Sequence, residues 1–308
     1  MNRDKILNKL SAKYKKEEQP MDTYLEGLLH AKPINYWDYI QVDTLFSLQK
    51  TRTDFPDEFI FLGYHQVTEL LLRLITHELE QATEAEGISG EFLQEKIKRA
   101  LRYTEVAQMS FDVMRDGMDP DQYNQFRHTL TPASGFQSAT FREIEFYCTD
   151  LWNLVYTHKK EELKGSEDID ELFNWIYWQA AGTDRKTGKK SLTLRDFEAK
   201  YLTRFKSMAT TFQKRNLWQQ YLTLPENEKT DELRAMMKKF DVVFNVNWPL
   251  VHLRTAEHYL EHGQEVKAAT GGSDWKKYLH PKFQRRMFFP ELLTKEEFEN
   301  WGDIELDF

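Results

Sequence analysis

The sequence predicts an all-α protein, and both its composition and its periodicity support that fold class. Aromatic residues make up 14% of the 308 residues, whereas only 13 Gly and 9 Pro are present. Few helix breakers and many large side chains are typical of long helices around an aromatic core. Apolar residues recur at spacings of three and four, and no segment shows the alternation of a strand. We therefore predict a large helical bundle.

Four segments carry the clearest helical periodicity. They are Asn35–Gln49, about 30 residues from Asp57, Leu93–Arg115 and Ser138–His158. The second segment predicts one long buried helix. Charge runs and a break at Pro33 set off an N-terminal arm, 1–33, from a single helical domain, 34–308. Mixed charge runs and aromatic helices within that domain predict an inserted helical subdomain at 159–230.

Charge and cysteine content exclude several functional classes. A formal net charge of -8 argues against a nucleic-acid surface. The apolar run Leu70–Ile75 falls far short of the roughly 20 residues of a membrane span. The single cysteine, Cys148, excludes an intrachain disulfide framework, and the N-terminus has no secretion signal. We expect a cytoplasmic protein that binds neither nucleic acid nor membrane.

The segment Tyr123–Glu143, YNQFRHTLTPASGFQSATFRE, is the most informative part of the chain. Tyr123 and Arg127 at i and i+4 share one helix face, so a phenol and a guanidinium point into the same space. A guanidinium binds a carboxylate in a bidentate fork, and the Pro-Ala-Ser-Gly turn that follows supplies backbone N–H groups and a hydroxyl. The pair therefore predicts a carboxylate-binding site. A surface arginine and a core tyrosine beside an ordinary loop are the alternative.

Two histidines lie in predicted helices among apolar residues. His65 follows Phe61 by one turn on the same face. This pattern fits a site residue. It also fits a core histidine that is hydrogen-bonded to Glu69 or to a backbone carbonyl. His252 lies in a helix that starts near Pro249, on a face that continues with the small residues Thr255 and Ala256. Neutral imidazole is a common axial ligand of haem iron, although a hydrogen-bonded core histidine is also compatible.

Two further motifs carry weaker signals. The residues HYLEH, from His258 to His262, match the HxxEH pattern of inverted zinc peptidases, and an exposed helical face is the simpler interpretation. The TGGS loop at 270–273 could hold an anion through backbone N–H groups, but it lacks the frame of a phosphate loop.

Taken together, these pieces resemble the haem-dependent tryptophan 2,3-dioxygenase family from about Asn35 to Leu293. The resemblance rests on YWDYI, on FLGYHQ followed by EL, on YNQFR followed by PASGFQS and FRE, on WPLVH and on TGGS. It implies a helical bundle around a pocket for haem b (iron protoporphyrin IX). It also implies O2-dependent cleavage of the indole C2–C3 bond of L-tryptophan to N-formylkynurenine, in tryptophan catabolism through the kynurenine pathway.

The resemblance also assigns roles to individual residues. His252 is implied as the axial iron ligand, and Ser134 is implied to lie near the haem. His65 is implied to bond the indole N–H and Phe61 to pack on the indole ring. Arg127 and Tyr123 are implied to bind the substrate carboxylate. Thr270 is implied to contact the substrate ammonium. The resemblance also implies a homotetramer built as a dimer of dimers. In it, Tyr36, Tyr39 and Ile40 of a neighbouring subunit would contact the substrate.

This chain departs from the family pattern beside the implied ammonium site. Asp274 and Trp275 follow the TGGS loop where the family usually has a second serine and a glycine, and the stretch 258–269 is longer. A divergent member that oxidises a modified tryptophan or another indole is therefore the main alternative. A helical protein that only carries haem is a further alternative, and a zinc peptidase using HYLEH is the most distant one.

Overall fold

The computed structural model describes residues 2–184, 186–260 and 280–303. Within these ranges the chain is helical apart from loops and two isolated bridges, Val155 with Ile176 and Thr183 with Lys190. The predicted all-α class is confirmed. None of the helices in these ranges is long and apolar enough to cross a membrane.

The chain divides into two compact units, Met1–Lys50 and Thr51–Phe308, so the division falls later than the sequence boundary at residue 33. The first unit contains α1 (Arg3–Lys16), α2 (Met21–Leu28), α3 (Tyr36–Ile40) and α4 (Val42–Phe46). The single helix predicted for 35–49 is wrong, because Gln41 adopts a left-handed conformation with φ 57° that separates α3 from α4.

Within the described residues, the second unit contains further α-helices, which follow in chain order. They are α5 (Pro56–Glu84), α6 (Gly90–Met109), α7 (Phe111–Asp116), α8 (Pro120–Phe126), α9 (Ala139–Cys148), α10 (Ile169–Asn174), α11 (Tyr177–Ala181), α12 (Leu192–Phe212), α13 (Leu217–Thr223), α14 (Asp231–Val242), α15 (Trp248–Leu260), α16 (Pro281–Gln284) and α17 (Lys295–Glu299).

The long helix predicted from Asp57 is confirmed as α5, which spans 29 residues and begins with Pro56 in its first turn. One of its faces is buried and includes Leu72, Ile75 and Leu79. The expectation of a wholly buried helix is wrong, because a stripe on its other side, formed by Val67, Leu70 and Leu74, is exposed. The spacing of apolar residues identified the helix but did not show which of its faces are covered.

Two predicted helices are shorter than their periodicity suggested. The helix predicted for 93–115 is interrupted at Ser110, whose hydroxyl donates to the carbonyl of Ala107 at 2.7 Å. The helix predicted for 138–158 ends at Cys148, where Thr149 turns extended and its hydroxyl donates to the carbonyl of Phe288 at 2.6 Å. In both places a side-chain hydroxyl bonds a backbone carbonyl at the point where the helix ends.

The segment 159–230 contains α10 to α13, so its helical character is confirmed. Part of it forms a separate aromatic core around Trp178 and Phe205, against which α9 contributes Phe146. The ring centroids of Phe146 and Phe205 lie 5.5 Å apart. This segment therefore packs against α9 through Phe146.

A π-helical turn, Val243–Asn247, connects α14 to α15. Such turns insert one extra residue into a helix and are frequent at functional sites. Just before the turn, the buried carboxylate of Asp241 accepts backbone N–H bonds from Phe288 at 2.8 Å and Phe289 at 2.9 Å. The C-terminal segment is thereby fixed against the helix that leads to His252.

Candidate functional site

A cavity inside the second unit has two lobes that share the residues at their junction. The first lobe has a volume of about 480 Å³ and extends to Tyr123 and Arg127. The second lobe has a volume of about 140 Å³ and extends to Arg142 and Arg286. Both lobes are lined by the same central residues, which are Tyr64, His65, Glu69, Phe111, Gly135, Phe136, Ser138 and His252. The two histidines singled out in the sequence therefore face one cavity.

His65 projects from the middle of α5 and has a defined tautomer. Its Nδ1 lies 2.7 Å from the carbonyl oxygen of Phe61, and a carbonyl can only accept, so Nδ1 carries the proton. Burial lowers the pKa of His65 below its usual value, which keeps the ring neutral at pH 7. Nε2 consequently has a lone pair with which to accept a proton donor in the cavity. The ring thus contacts a backbone carbonyl, as predicted for a core histidine, and it also lines the cavity.

His252 projects from the first half of α15. Burial, and to a lesser degree the charge of His65, lowers the pKa of His252 to about 4. The ring is therefore neutral at physiological pH, as coordination of a metal by imidazole requires. Thr255 and Ala256 line the same lobe one turn further along the helix, so small side chains lie beside the imidazole. A planar cofactor could approach His252 on this side.

Tyr123 and Arg127 both line the first lobe, although Arg127 lies at the C-terminal end of α8 rather than inside it. Arg127 is buried with only 4% of its surface exposed. Burial raises the pKa of the Tyr123 phenol, and the nearby charge of Arg127 partly offsets this effect. A neutral phenol donor and a guanidinium thus lie on one wall, which is the arrangement expected for binding a carboxylate.

The Pro-Ala-Ser-Gly turn lines the first lobe, and its Gly135 lines both lobes. Ser134 caps the short 3₁₀ turn Gly135–Gln137, and the side chain of Gln137 bonds back to the backbone N–H of Ser134. Thr193 of α12 donates to the carbonyl of Pro132 at 3.2 Å. Because the turn is held at both ends, the hydroxyl of Ser134 and the backbone of Gly135 have fixed positions at the cavity.

Phe61 packs against the groups that surround the first lobe. Its ring centroid lies 4.2 Å from that of His65, 5.8 Å from that of Tyr123 and 5.7 Å from that of Phe126. An aromatic wall next to a hydrogen-bond acceptor suits a flat aromatic ligand that carries one N–H donor.

Sequence reasoning missed a group of four polar residues at the second lobe. Arg142, Tyr177 and Arg286 line the lobe, and Glu145 lies within 3.6 Å of both arginines. All four are buried, and Arg142 and Glu145 lie three residues apart on α9. The available signal was this pair of charges at helical spacing between Phe141, Ile144 and Phe146, because charged residues are rarely buried without a partner. Tyr177 and Arg286 are too distant in sequence for spacing to connect them to α9.

The structure does not bring every predicted site residue into this cavity. Tyr36, Tyr39 and Ile40 lie in the first unit, where their side chains are exposed. Thr270, the rest of the TGGS loop, Asp274 and Trp275 lie outside the described residues.

The HYLEH motif is only partly described, since Glu261 and His262 also lie outside those residues. His258, its first member, is exposed on α15. The described part of the chain contains no group of three or more His, Cys, Asp or Glu side chains that could hold a metal ion. A zinc site therefore gains no support from the structure.

Fold and cavity together define a class: an all-α protein with a cavity lined by a neutral imidazole suited to a metal, a tyrosine and a buried arginine. Comparison with known proteins identifies the family. The family described as tryptophan 2,3-dioxygenase matches residues 28–266. The chain belongs to the tryptophan 2,3-dioxygenase family and is an oxidoreductase.

Several curated relatives named tryptophan 2,3-dioxygenase are similar over most of the chain. A relative from Exiguobacterium sibiricum is 30% identical over 275 residues, which cover 85% of this chain and 91% of the relative. One from Bacillus anthracis is 30% identical over 269 residues, covering 84% and 90%. One from Ruegeria sp. is 28% identical over 282 residues, covering 86% and 92%. The resemblance seen in the motifs thus extends along nearly the full length of these proteins.

Proposed function

We propose that this chain is a haem-dependent enzyme that adds both atoms of O2 across the indole C2–C3 bond of L-tryptophan and yields N-formylkynurenine. The observation that carries the proposal is the single cavity that joins His252, His65 and the pair Tyr123 and Arg127. Membership of the tryptophan 2,3-dioxygenase family supports the same reaction and gives no support to a zinc peptidase.

The residues present fit haem b. A neutral imidazole at His252, with Thr255 and Ala256 beside it, leaves room for a flat macrocycle in the cavity. His252 would bind the haem iron, and Ser134 would lie near the haem. When bound, haem iron would activate O2 for its reaction with the indole.

The first lobe orients the amino acid at both ends. Arg127 and Tyr123 would bind the carboxylate through charge-assisted hydrogen bonds. At the other end, Nε2 of His65 would accept the indole N–H while the ring of Phe61 packs on the indole face. Holding both ends fixes the C2–C3 bond relative to the cofactor, and orientation of this kind supplies a large part of many rate enhancements.

Two parts of the proposal rest on the resemblance alone. Thr270 would bind the substrate ammonium. In a homotetramer, Tyr36, Tyr39 and Ile40 would complete the pocket of a neighbouring subunit, and their exposure in the first unit leaves them available for such a contact. Closure of the pocket in this way would exclude water from the reaction.

The test is a turnover experiment on the purified protein reconstituted with haem, reduced without air and then mixed with L-tryptophan and labelled O2. The expected product is heavier than tryptophan by two oxygen atoms, both labelled, with the absorption of N-formylkynurenine. A protein that binds haem but turns over only another indole would overturn the choice of substrate. A protein that takes up no haem would overturn the proposal as a whole.

A further inference from the structure

Two tyrosines from different helices pack against each other at the first lobe. Tyr123 of α8 and Tyr259 of α15 both line this lobe, and their ring centroids lie 4.7 Å apart with an angle of 52° between the ring planes. Tyr259 is buried, with only 2% of its surface exposed. Its ring therefore forms part of the wall against which the phenol of Tyr123 packs.

The hydroxyl of Tyr259 is bound to the backbone at the end of α7. It donates to the carbonyl of Met114, and the carbonyl oxygens of Arg115 and Met118 lie 3.4 Å from it. Burial raises the pKa of Tyr259 to about 12, so the hydroxyl keeps its proton at physiological pH. A carbonyl can only accept, so the backbone uses the one proton that this hydroxyl can donate. Tyr259 therefore has no proton to offer to a substrate carboxylate.

A second hydrogen bond fixes the backbone of Tyr259 to α8. The side-chain amide of Asn124 donates to the carbonyl of Tyr259 at 3.1 Å and to the carbonyl of Pro120 at 2.9 Å. Asn124 directly follows Tyr123 in the chain and lies within α8. Tyr259 is thus bonded to α7 through its hydroxyl and to α8 through its carbonyl.

We propose that Tyr259 is a positioning residue for the substrate carboxylate and that it acts through the phenol of Tyr123. Because Tyr259 is bonded at its hydroxyl and at its backbone, its ring gives Tyr123 a fixed surface beside Arg127. The same helix carries His252, so the contact also sets the clamp relative to the proposed iron ligand. Preorganisation of this kind lowers the cost of binding. The inference rests on the proposed function, because it assumes that Tyr123 and Arg127 bind the carboxylate of L-tryptophan.

The test is a double-mutant cycle on the haem-loaded protein, titrated with L-tryptophan and with tryptamine and followed by the haem absorption. Tyr259→Phe keeps the ring and removes the hydroxyl. We expect its affinity for L-tryptophan to fall about fivefold, as the loss of one hydrogen bond predicts, and its affinity for tryptamine to stay the same, because tryptamine has no carboxylate. In a Tyr123→Phe background the same change should lower the affinity for L-tryptophan by less than about twofold, because residues that act as a unit are not additive.

Two further variants control for the loss of a buried hydroxyl and for the loss of the ring. Tyr221→Phe is the matched control, since Tyr221 is also buried, accepts from Nε of Arg234 at 2.9 Å and lines neither lobe. It should bind both ligands as the unmodified protein does. Tyr259→Leu removes the ring and should weaken L-tryptophan binding more than Tyr259→Phe does. If Tyr259→Leu does not fold, the cycle with Tyr259→Phe decides the question.

The outcomes separate this inference from the proposed function. An unchanged affinity for L-tryptophan in Tyr259→Phe overturns the positioning role. Equal losses for L-tryptophan and tryptamine also overturn it, and so does a fivefold loss that persists in the Tyr123→Phe background. All three results leave the proposed function intact when the unmodified protein binds haem and yields N-formylkynurenine. Failure of the unmodified protein to do so overturns the proposed function itself.

Discussion

The two lobes of the cavity each end at buried arginine, but they are built in different ways. In the first lobe Tyr123 and Arg127 come from one turn of chain, so the clamp is local. In the second lobe Arg142, Tyr177 and Arg286 come from three segments that meet only in the folded protein. The first lobe is lined by a cation and a phenol, whereas the arginines of the second lobe both reach Glu145.

The local construction of the first lobe suits a ligand that enters and leaves at every turnover. Such a ligand needs a site whose residues keep their positions without it, and a short local motif on a capped turn provides this. The predictions below test the proposed roles, beginning with the residue common to both lobes.

His252→Ala should have the largest effect, because it removes the only imidazole we assign to the iron. Haem affinity should fall by roughly two orders of magnitude or more, and the Soret spectrum of any haem that remains should change. The matched control is His258→Ala, which removes an exposed histidine from the same helix. An unchanged spectrum and affinity in His252→Ala would place the ligand elsewhere.

Arg127→Ala should weaken binding of L-tryptophan by about 2 to 3 kcal/mol and leave the haem spectrum unchanged, because it removes one half of a charge-assisted pair. Tryptamine, which lacks the carboxylate, should bind equally well before and after the change. Arg102→Ala serves as control, since that side chain is 76% exposed on α6. Equal losses for tryptophan and tryptamine would show that Arg127 does not bind the carboxylate.

His65→Ala should lower kcat/KM for L-tryptophan about tenfold, the cost of one hydrogen bond to a buried acceptor. It should have little effect on 1-methyltryptophan, which has no indole N–H to donate. His77→Ala, an exposed histidine on the same helix, is the control. A similar loss for both substrates would indicate a structural role for His65.

The pH profile of the unmodified enzyme tests the same acceptor. Protonation of His65 at Nε2 would remove its lone pair, so kcat/KM should fall toward acid pH. Because burial lowers the pKa of His65, the midpoint of that fall should lie below the ordinary imidazole value of about 6.5. A midpoint above that value would contradict the assignment of His65 as a neutral hydrogen-bond acceptor.

Asp241 gives the smallest expected effect and concerns the segment that carries Arg286. Burial raises the pKa of Asp241 to about 6, so the folded protein binds this proton more tightly than the unfolded chain does. The resulting stability is present at low pH and is lost as pH rises through about 6. Between pH 5 and pH 7 the free energy of unfolding should fall by about 1 kcal/mol relative to Asp241→Asn.

The control for this measurement is Asp231→Asn, because Asp231 is fully exposed on the same helix. Its free energy of unfolding should follow that of the unmodified protein at both pH values. A pH dependence that is identical in the unmodified protein and in Asp241→Asn would show that Asp241 does not titrate in this range.

The sequence predicted the parts of the site that depend on local spacing. Three features could be identified because each lies within one segment. They are the one-turn spacing from Phe61 to His65, the pair Tyr123 and Arg127, and the helix of His252. Helix ends were predicted less well. Ser110 and Thr149 end helices through hydroxyl bonds to backbone carbonyls, which apolar periodicity does not indicate.

Residues that meet only through tertiary packing could not be predicted. Arg286 reaches Tyr177 because Asp241 fixes the backbone of Phe288 and Phe289, and no local pattern connects these positions. The exposed stripe on α5 could not be predicted from periodicity either. Helical spacing shows which residues share a face, but it does not show what covers that face.

The measurement that tests the account most directly compares two variants in the same titrations. Haem-loaded Arg127→Gln would be titrated with L-tryptophan, and the apoproteins of Arg127→Gln and His252→Ala would be titrated with haemin. The account predicts that Arg127→Gln loses affinity for tryptophan and keeps its affinity for haemin, whereas His252→Ala loses affinity for haemin. A loss of haemin affinity in Arg127→Gln as large as that in His252→Ala would contradict the assignment of separate substrate and cofactor residues.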